Sequence, residues 1–179
     1  MREYRVYKPN KAGNGAATKF QCVCKPRKGK TFAEPMIFME TANQIGTDAN
    51  GNAQFDWKQP GKMETQSVLM KLGMNDVGEI LAVLMNQKPM VGTVTSNFND
   101  SRGLYHQNAN GNTVLKFGRV GDQFYLAMSN KNISTNTLSR AKHTLTIAES
   151  VVLAQLLRDF ITLYYEWSSV TPASQEDGS

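Results

Sequence analysis

The stretch ETQSVLMKL-G-MNDVGEILAVLMNQK, residues 64–88, contains the point at which the apolar side chains change their period. Before Gly73 the alternation predicts a strand over Glu64–Leu72. After Gly73 the apolar residues recur at i, i+3, i+4, i+7 and i+8, on one face of a helix: Val77, Ile80, Leu81, Leu84 and Met85. We therefore predict a helix over residues 76–87, which ends at Lys88-Pro89 because proline cannot continue it.

Short alternating segments on the N-terminal side of this stretch predict further strands. They lie at Tyr4–Lys8, Lys19–Lys25, Pro35–Thr41 and Gln54–Lys58. Successive strand side chains point to opposite faces, so the alternation indicates one buried and one exposed face. Asn50-Gly51, a dipeptide typical of tight hairpin turns, separates the last two segments.

The C-terminal half repeats this order of elements. Strands are predicted at Val91–Phe98, Gly103–Gln107, Thr113–Val120, Gln123–Ser129 and Ala141–Ile147. Thr146-x-x-Glu149 is the signature of a capping box, in which hydroxyl and carboxylate satisfy free amides at a helix start. An apolar stripe begins at Leu153, so we predict a second helix that runs to about Trp167.

Strands, a helix, strands and a second helix follow one another without β-α-β alternation. This order predicts an α+β fold in which antiparallel sheets pack against helices. Because the two halves share one plan, we predict a single domain over residues 1–167 with pseudo-repeats at about 4–88 and 91–167. Residues 168–179 are rich in Ser, carry two acidic residues and are predicted to be a disordered tail.

The composition argues against a disordered or membrane-spanning chain. Apolar residues make up 40% of the sequence and charged residues 20%, as in a folded globular protein. No apolar run approaches the roughly 18 residues that cross a bilayer. The first residues also lack the apolar stretch of a signal peptide, and we see no transit peptide. We therefore expect no membrane partner and a cytoplasmic location, in a bacterium or a phage-infected cell.

The sequence has no recognisable catalytic or metal-binding motif. It lacks a Gly-rich phosphate loop, an H-E-x-x-H and a G-x-S-x-G. Its two histidines, His106 and His143, lie in no ligand pattern, and Cys22 and Cys24 are interpreted as strand thiols. We predict no cofactor, no metal and no enzymatic activity.

Positive charges and aromatic rings occur together on the predicted strands. The net charge of +5 at pH 7 favours a polyanionic ligand. Lys116, Tyr125 and Lys142 alternate with apolar residues, so we expect them on sheet faces turned away from the helices. Single-strand binding needs aromatic rings on which bases stack, with Lys and Arg along the backbone. These residues therefore predict a surface for single-stranded nucleic acid.

Short motifs in the same order resemble the Whirly family of single-stranded DNA-binding proteins. Lys28-Gly29-Lys30 is similar to the start of the family's K-G-K-A-A-L signature, from which the next residues differ. Phe55-Asp56-Trp57 resembles its aromatic-Asp-Trp element, and Asp76-Val77-Gly78 resembles its helix opening. The hairpin over residues 116–130 and the closing Trp167 also look similar.

The resemblance covers residues 4–167 and carries implications for fold and assembly. The Whirly family is related in fold to positive-cofactor transcriptional coactivators and to kinetoplastid guide-RNA-binding proteins. The resemblance implies two antiparallel four-stranded sheets with two helices. It also implies homo-oligomers, tetramers or dimers, with nucleic acid lying across sheet edges between protomers.

The predicted function is single-stranded DNA binding with little sequence specificity, in replication, recombination, repair or transcription. Phosphates are expected at Lys28, Lys30, Lys116 and Lys142, with Lys25, Arg27, Arg119 and Arg140 in support. Bases are expected to stack on Phe38, Phe55, Trp57 and Tyr125. Two alternatives stay open: RNA binding or annealing on the same fold, and a structural scaffold whose basic sheet meets an acidic protein.

Overall fold

The computed structural model describes residues 2–26, 33–58, 66–109 and 111–168. The first half contains β1 (Arg2–Lys8), β2 (Ala16–Pro26), β3 (Ala33–Thr47), β4 (Ala53–Phe55), β5 (Val68–Leu72) and α1 (Met74–Leu84). The second half contains a 3₁₀ turn (Phe98–Asp100), β6 (Leu104–Asn108), β7 (Gly111–Val120), β8 (Gln123–Asn132), β9 (Leu138–Leu145) and α2 (Ile147–Ser168). The fold is α+β, as predicted.

Both sheets are antiparallel, and each leads directly into a helix. Sheet 1 has the order β1-β2-β3-β5, and sheet 2 has the order β6-β7-β8-β9. The long strand β3 pairs with β5 through Ile37–Thr41, while its far end pairs with the short β4. Sheet 1 therefore has one short strand more than the predicted four. The division into a domain over residues 1–167 and two pseudo-repeats stays a prediction.

The predicted strand Val91–Phe98 is wrong. Val91 is buried, but Val94 is exposed and no strand forms between Met90 and β6. Only Met90 bridges to sheet 2, opposite Gly118. The chain then forms a loop because Gly92 has a φ of +70°, a left-handed conformation that does not continue a strand. The apolar residues that suggested a strand thus lie in different environments, Val91 in the core and Val94 in solvent.

The alternation on the remaining strands places their apolar residues in one shared core. The largest fully buried side chains of the sheets include Phe20, Ile37 and Met39 from sheet 1 and Leu115, Phe117, Leu126 and Met128 from sheet 2. Helix α2 adds Leu153, Leu157 and Phe160, and α1 adds Val77 and Ile80. Ile147, placed at the end of the last predicted strand, instead begins α2 and is exposed.

Both helices begin with carboxylates that hold backbone amides. In α1, the Asp76 carboxylate accepts the Gly73 N–H at 2.7 Å, and Gly73 is the capping residue. In α2, Glu149 accepts the Thr146 N–H at 2.7 Å, which confirms the predicted capping box. Both Glu149 oxygens also lie 2.7 Å from Lys8 Nζ, so this carboxylate joins β1 to α2.

A buried polar chain crosses from sheet 1 to sheet 2. His143 Nε2 lies 2.6 Å from the Thr18 hydroxyl, which lies 2.8 Å from the Thr41 hydroxyl. His143 Nδ1 lies 3.2 Å from the Thr144 carbonyl, so a neutral ring with its proton on Nδ1 satisfies both contacts. Burial lowers the pKa of His143 and keeps the ring neutral near pH 7.

This burial predicts a pH-dependent stability. An unfolded histidine has a pKa of about 6.5, so below that pH the unfolded chain binds a proton that folded His143 resists. We expect the free energy of unfolding to fall between pH 7 and 5, by at most about 1.4 kcal/mol per pH unit. Urea unfolding followed by circular dichroism at pH 7, 6 and 5 measures this slope.

The variant His143→Gln isolates the contribution of this ring. It keeps a hydrogen-bonding side chain but cannot titrate, so its unfolding free energy should change less over the same range. His106 is present in both proteins, and its contribution cancels in the difference. Equal slopes for both proteins would contradict a neutral buried His143.

Candidate functional site

Each sheet turns one face into the core and the other face outward. On β7 the odd-numbered Leu115 and Phe117 are buried, so Lys116 between them points outward. The same alternation on β8 and β9 turns Tyr125 and Lys142 outward. We call these two exposed surfaces the outer face of sheet 1 and the outer face of sheet 2.

A row of aromatic rings lies on the outer face of sheet 1. The Tyr7 and Phe55 ring centroids are 5.6 Å apart, and those of Phe55 and Trp57 are 6.1 Å apart. Tyr7 belongs to β1, whereas Phe55 ends β4 and Trp57 follows it, and both lie back across the sheet. The row therefore depends on a contact between residues that are distant in sequence.

A buried ion pair holds this row against the sheet. Glu40 on β3 lies opposite Lys19 on β2, and its carboxylate is 2.7 Å from Lys19 Nζ. The other Glu40 oxygen accepts the Lys58 N–H at 2.6 Å, which fixes the segment after Trp57. Lys19 Nζ lies 4.9 Å from the centre of the Trp57 ring, within the range of a cation–π contact. Lys19 thus neutralises Glu40 and supports Trp57 from below.

Phe38 lies in a neighbouring row of the same outer face. It is half-buried on β3, between Gln21 on β2 and Lys71 on β5. Lys71 is exposed beside it. Sequence reasoning selected Phe38, Phe55 and Trp57 but left Tyr7 and Lys71 out of the site, although strand alternation already turned both outward.

The strands of sheet 2 carry basic side chains and no acidic ones, and all of these basic residues except Arg119 have the parity of the outer face. Strands β6 to β9 contain five Lys or Arg residues and no Asp or Glu: Lys116, Arg119, Lys131, Arg140 and Lys142. Lys116 and Lys142 flank Ala127 in one cross-strand row, and Tyr125 lies in the next row. Lys142 is exposed, and within the described ranges its ammonium is unpaired. The structure thus brings together the residues that alternation grouped.

Two of the predicted residues on this face already have partners. The Lys116 ammonium donates to the Asn99 carbonyl at 2.6 Å. The Phe98 ring meets Tyr125 edge to face, with centroids 5.0 Å apart. Both contacts come from the loop before β6, which crosses this part of the sheet.

Other predicted residues lie away from the two faces or outside the described residues. Arg119 has the parity of the inner face, and its guanidinium donates to Asn86 at the end of α1 at 2.6 Å, so it does not join the basic row. Arg27, Lys28 and Lys30 lie outside the described residues, as does the side chain of Lys25.

Asn43 links the ends of the two sheets. Its side-chain amide donates to the Arg140 carbonyl on β9 at 2.7 Å. The backbone carbonyl of Asn43 accepts the N–H of Asp56 at 3.1 Å, and Asp56 lies between Phe55 and Trp57 in the sequence. The start of the aromatic segment on sheet 1 is therefore joined to the edge strand of the basic sheet 2.

No metal or membrane site is visible in the part of the chain that the structure describes. Among these residues, no group of three or more His, Cys, Asp or Glu side chains is placed to hold a metal ion. Neither described helix combines the length and the apolarity that crossing a bilayer requires.

The fold is that of the Whirly proteins. WHY3 from Arabidopsis thaliana superposes with a TM-score of 0.61 at 16% identity, over 94% of this chain and 90% of that one. The plant transcriptional regulator PBF-2 gives 0.57 at 18% identity, over 97% and 89%. MRP1/MRP2 of Trypanosoma brucei gives 0.57 at 13% identity, over 93% and 87%. No protein-family model and no curated protein sequence matches the chain.

The ion pair under Trp57 yields a testable prediction. In Glu40→Gln the Lys19 ammonium loses its counter-ion in a largely buried place, so we expect the free energy of unfolding to fall by about 1–3 kcal/mol. The emission of Trp57 should shift to longer wavelength as its segment loosens. Because the chain has two Trp residues, the measurement is made in a Trp167→Phe background.

The matched control is Asp122→Asn in the β7–β8 turn, where the carboxylate is exposed. This variant removes the same charge without opening a buried pair. A loss of stability as large as that of Glu40→Gln would contradict the supporting role of Glu40.

Proposed function

We propose that this chain binds single-stranded DNA with little sequence specificity, on the outer faces of its two sheets, and that it is not an enzyme. The observation that carries the proposal is the outer face of sheet 2, whose strands carry no acidic residue and project Lys116, Lys131, Arg140 and Lys142 beside Tyr125. A face with one sign of charge attracts a polyanion, and each phosphate contact releases a counter-ion. Such binding suits replication, recombination, repair or transcription, in which single strands are exposed.

The aromatic row on sheet 1 supplies the second requirement of single-strand binding. Tyr7, Phe55 and Trp57 offer rings on which bases can stack, at about 1–3 kcal/mol per base. Every base has a π-face, so stacking tolerates any sequence. Because Lys19 is neutralised by Glu40, phosphates near this row are left to Lys58 and Lys71, both exposed.

RNA binding or annealing is the second candidate function. One structural neighbour is described as a guide-RNA-binding protein complex bound to a gRNA, with a TM-score of 0.53 at 11% identity. Stacking platforms and Lys side chains accept both nucleic acids, whereas only a contact to the 2′-hydroxyl separates them. Competition between DNA and RNA oligomers of matched sequence decides between the two ligands.

We also propose that the chain forms homo-oligomers through α2. Val151 and Val152 on this helix are 63% and 50% exposed, and Ile147 lies one turn before Val151. Exposed apolar residues grouped on one helix indicate a contact surface. Such a surface is consistent with the tetramer or dimer that the resemblance to the Whirly family implies.

Light scattering after size-exclusion chromatography tests self-association. We expect Val151→Glu to lower the molar mass to that of one chain, because a charge at a packed apolar contact is costly. Val120→Glu is the control and should leave the mass unchanged, because Val120, at 53% exposed, lies at the end of β7, away from α2. A single-chain mass for the unaltered protein would contradict the proposal.

Fluorescence anisotropy with labelled oligo-dT tests the proposed function. We expect single-stranded DNA to be preferred over a duplex of equal length and the affinity to fall steeply with salt. Lys142→Ala should reduce the slope of log affinity against log salt by about 0.7, one phosphate contact. Trp57→Ala should weaken binding by about 1–3 kcal/mol with little change of slope.

Lys11→Ala serves as the control because Lys11 is exposed in the loop between β1 and β2, outside both faces. Its affinity and salt slope should match those of the unaltered protein. Equal affinity for duplex, or a salt slope that Lys142→Ala leaves unchanged, would count against single-strand binding on sheet 2.

A further inference from the structure

The segment of residues 92–103 forms a closed loop whose two ends touch; we call it the 92–103 loop. Gly92 and Gly103 have φ values of +70° and +67°. A Cβ atom on Gly92 would lie 2.5 Å from the Gly103 carbonyl oxygen, and one on Gly103 would lie 2.3 Å from the Leu115 carbonyl oxygen. Glycine at these two positions therefore lets the neck close and pack against β7.

The Phe98 ring of this loop lies against the outer face of sheet 2. A Cβ atom on Gly118 would lie 2.5 Å from the Phe98 ring, so glycine on β7 makes the seat for this ring. From there the ring meets Tyr125 with an interplanar angle of 80°. An aromatic group thus already occupies the side of Tyr125 on which a base would pack.

The next residue of the loop, Asn99, accepts a hydrogen bond from a lysine on the same face. The Asn99 carbonyl oxygen lies 2.6 Å from Lys116 Nζ, in the position where a phosphate oxygen would accept the same hydrogen bond. Lys142, on the other side of Ala127, has no such cover. The loop therefore contacts Lys116 and Tyr125 and leaves the other basic residues of this face uncovered.

We propose that the 92–103 loop is an autoinhibitory latch that occupies one base position and one phosphate position on sheet 2, and that a single strand displaces it. The inference rests on the proposed function, because it concerns access to that same face. Glu79 and Lys88 hold the neck of the latch at Gly92, but the part beyond the neck is open to solvent. Thr93, Val94, Ser96 and Asn97 are all exposed, and only Ser101 of the polar residues of the loop is buried. Segments with few buried contacts open at low cost.

The affinity of Phe98→Ala for labelled oligo-dT tests the latch. Without the ring the open state should dominate, so we expect binding to tighten by about fivefold to tenfold. In this background Tyr125→Ala should weaken binding, whereas in the unaltered protein it should have a much smaller effect. Weaker or equal binding by Phe98→Ala overturns the latch, since Phe98 would then stack with the DNA or play no part.

Hydrogen exchange on the unaltered chain is a second measurement that needs no variant. The Asp100 and Ser101 amides donate at 3.0 and 3.2 Å to the carbonyls of Asn97 and Phe98, in the 3₁₀ turn that carries the Phe98 ring, so their exchange reports the order of this turn. We expect both to exchange faster when oligo-dT binds, because the loop leaves the sheet. Slower exchange overturns the latch while leaving single-strand binding intact. Absence of binding by both the unaltered protein and Phe98→Ala overturns the proposed function and the latch together.

Discussion

The apolar faces of both sheets pack into one core, and the outward position of Lys116, Tyr125 and Lys142 depends on that burial. Phe117 and Leu126 of sheet 2 share the cluster with Phe20 and Ile37 of sheet 1. Because strand side chains alternate, burying one set fixes the other set outward. A shift of one residue in register would bury Lys116 and expose its apolar neighbours, so the core that stabilises the fold also maintains the basic face.

The two outer faces differ in how their charges are used. On sheet 1 the Lys19 charge is compensated by Glu40 and the ion pair supports Trp57, so that face offers mainly aromatic surface. On sheet 2 the strands carry no acid, and Lys142 is exposed without a counter-ion in the described residues. Stacking is insensitive to salt, whereas phosphate binding is not. The two contributions to binding can therefore be separated by ionic strength.

Local sequence patterns predicted the helices and strands, and the side of a sheet to which a given side chain points. They could do so because helix stripes and strand alternation are properties of neighbouring residues. The helix after Gly73 and the outward position of Tyr125 were found in this way. The Tyr7–Phe55 contact was not, since it joins residues brought together only by the return of the chain across sheet 1. The strand predicted at Val91–Phe98 failed because apolar content alone cannot show that Gly92 turns the backbone away.

The position of Asn43 affects how one single strand of DNA could contact the outer faces of both sheets. The outer faces point away from the shared core, so a ligand that contacts both within one protomer has to pass round an edge. Asn43 joins β9 at Arg140 to the backbone at Asp56, which brings the basic sheet and the aromatic segment together at one such edge. A path from Arg140 towards Phe55 is short and leads from charge to rings. A ligand that stays on one face does not pass this edge, and these two arrangements require different lengths of single-stranded DNA.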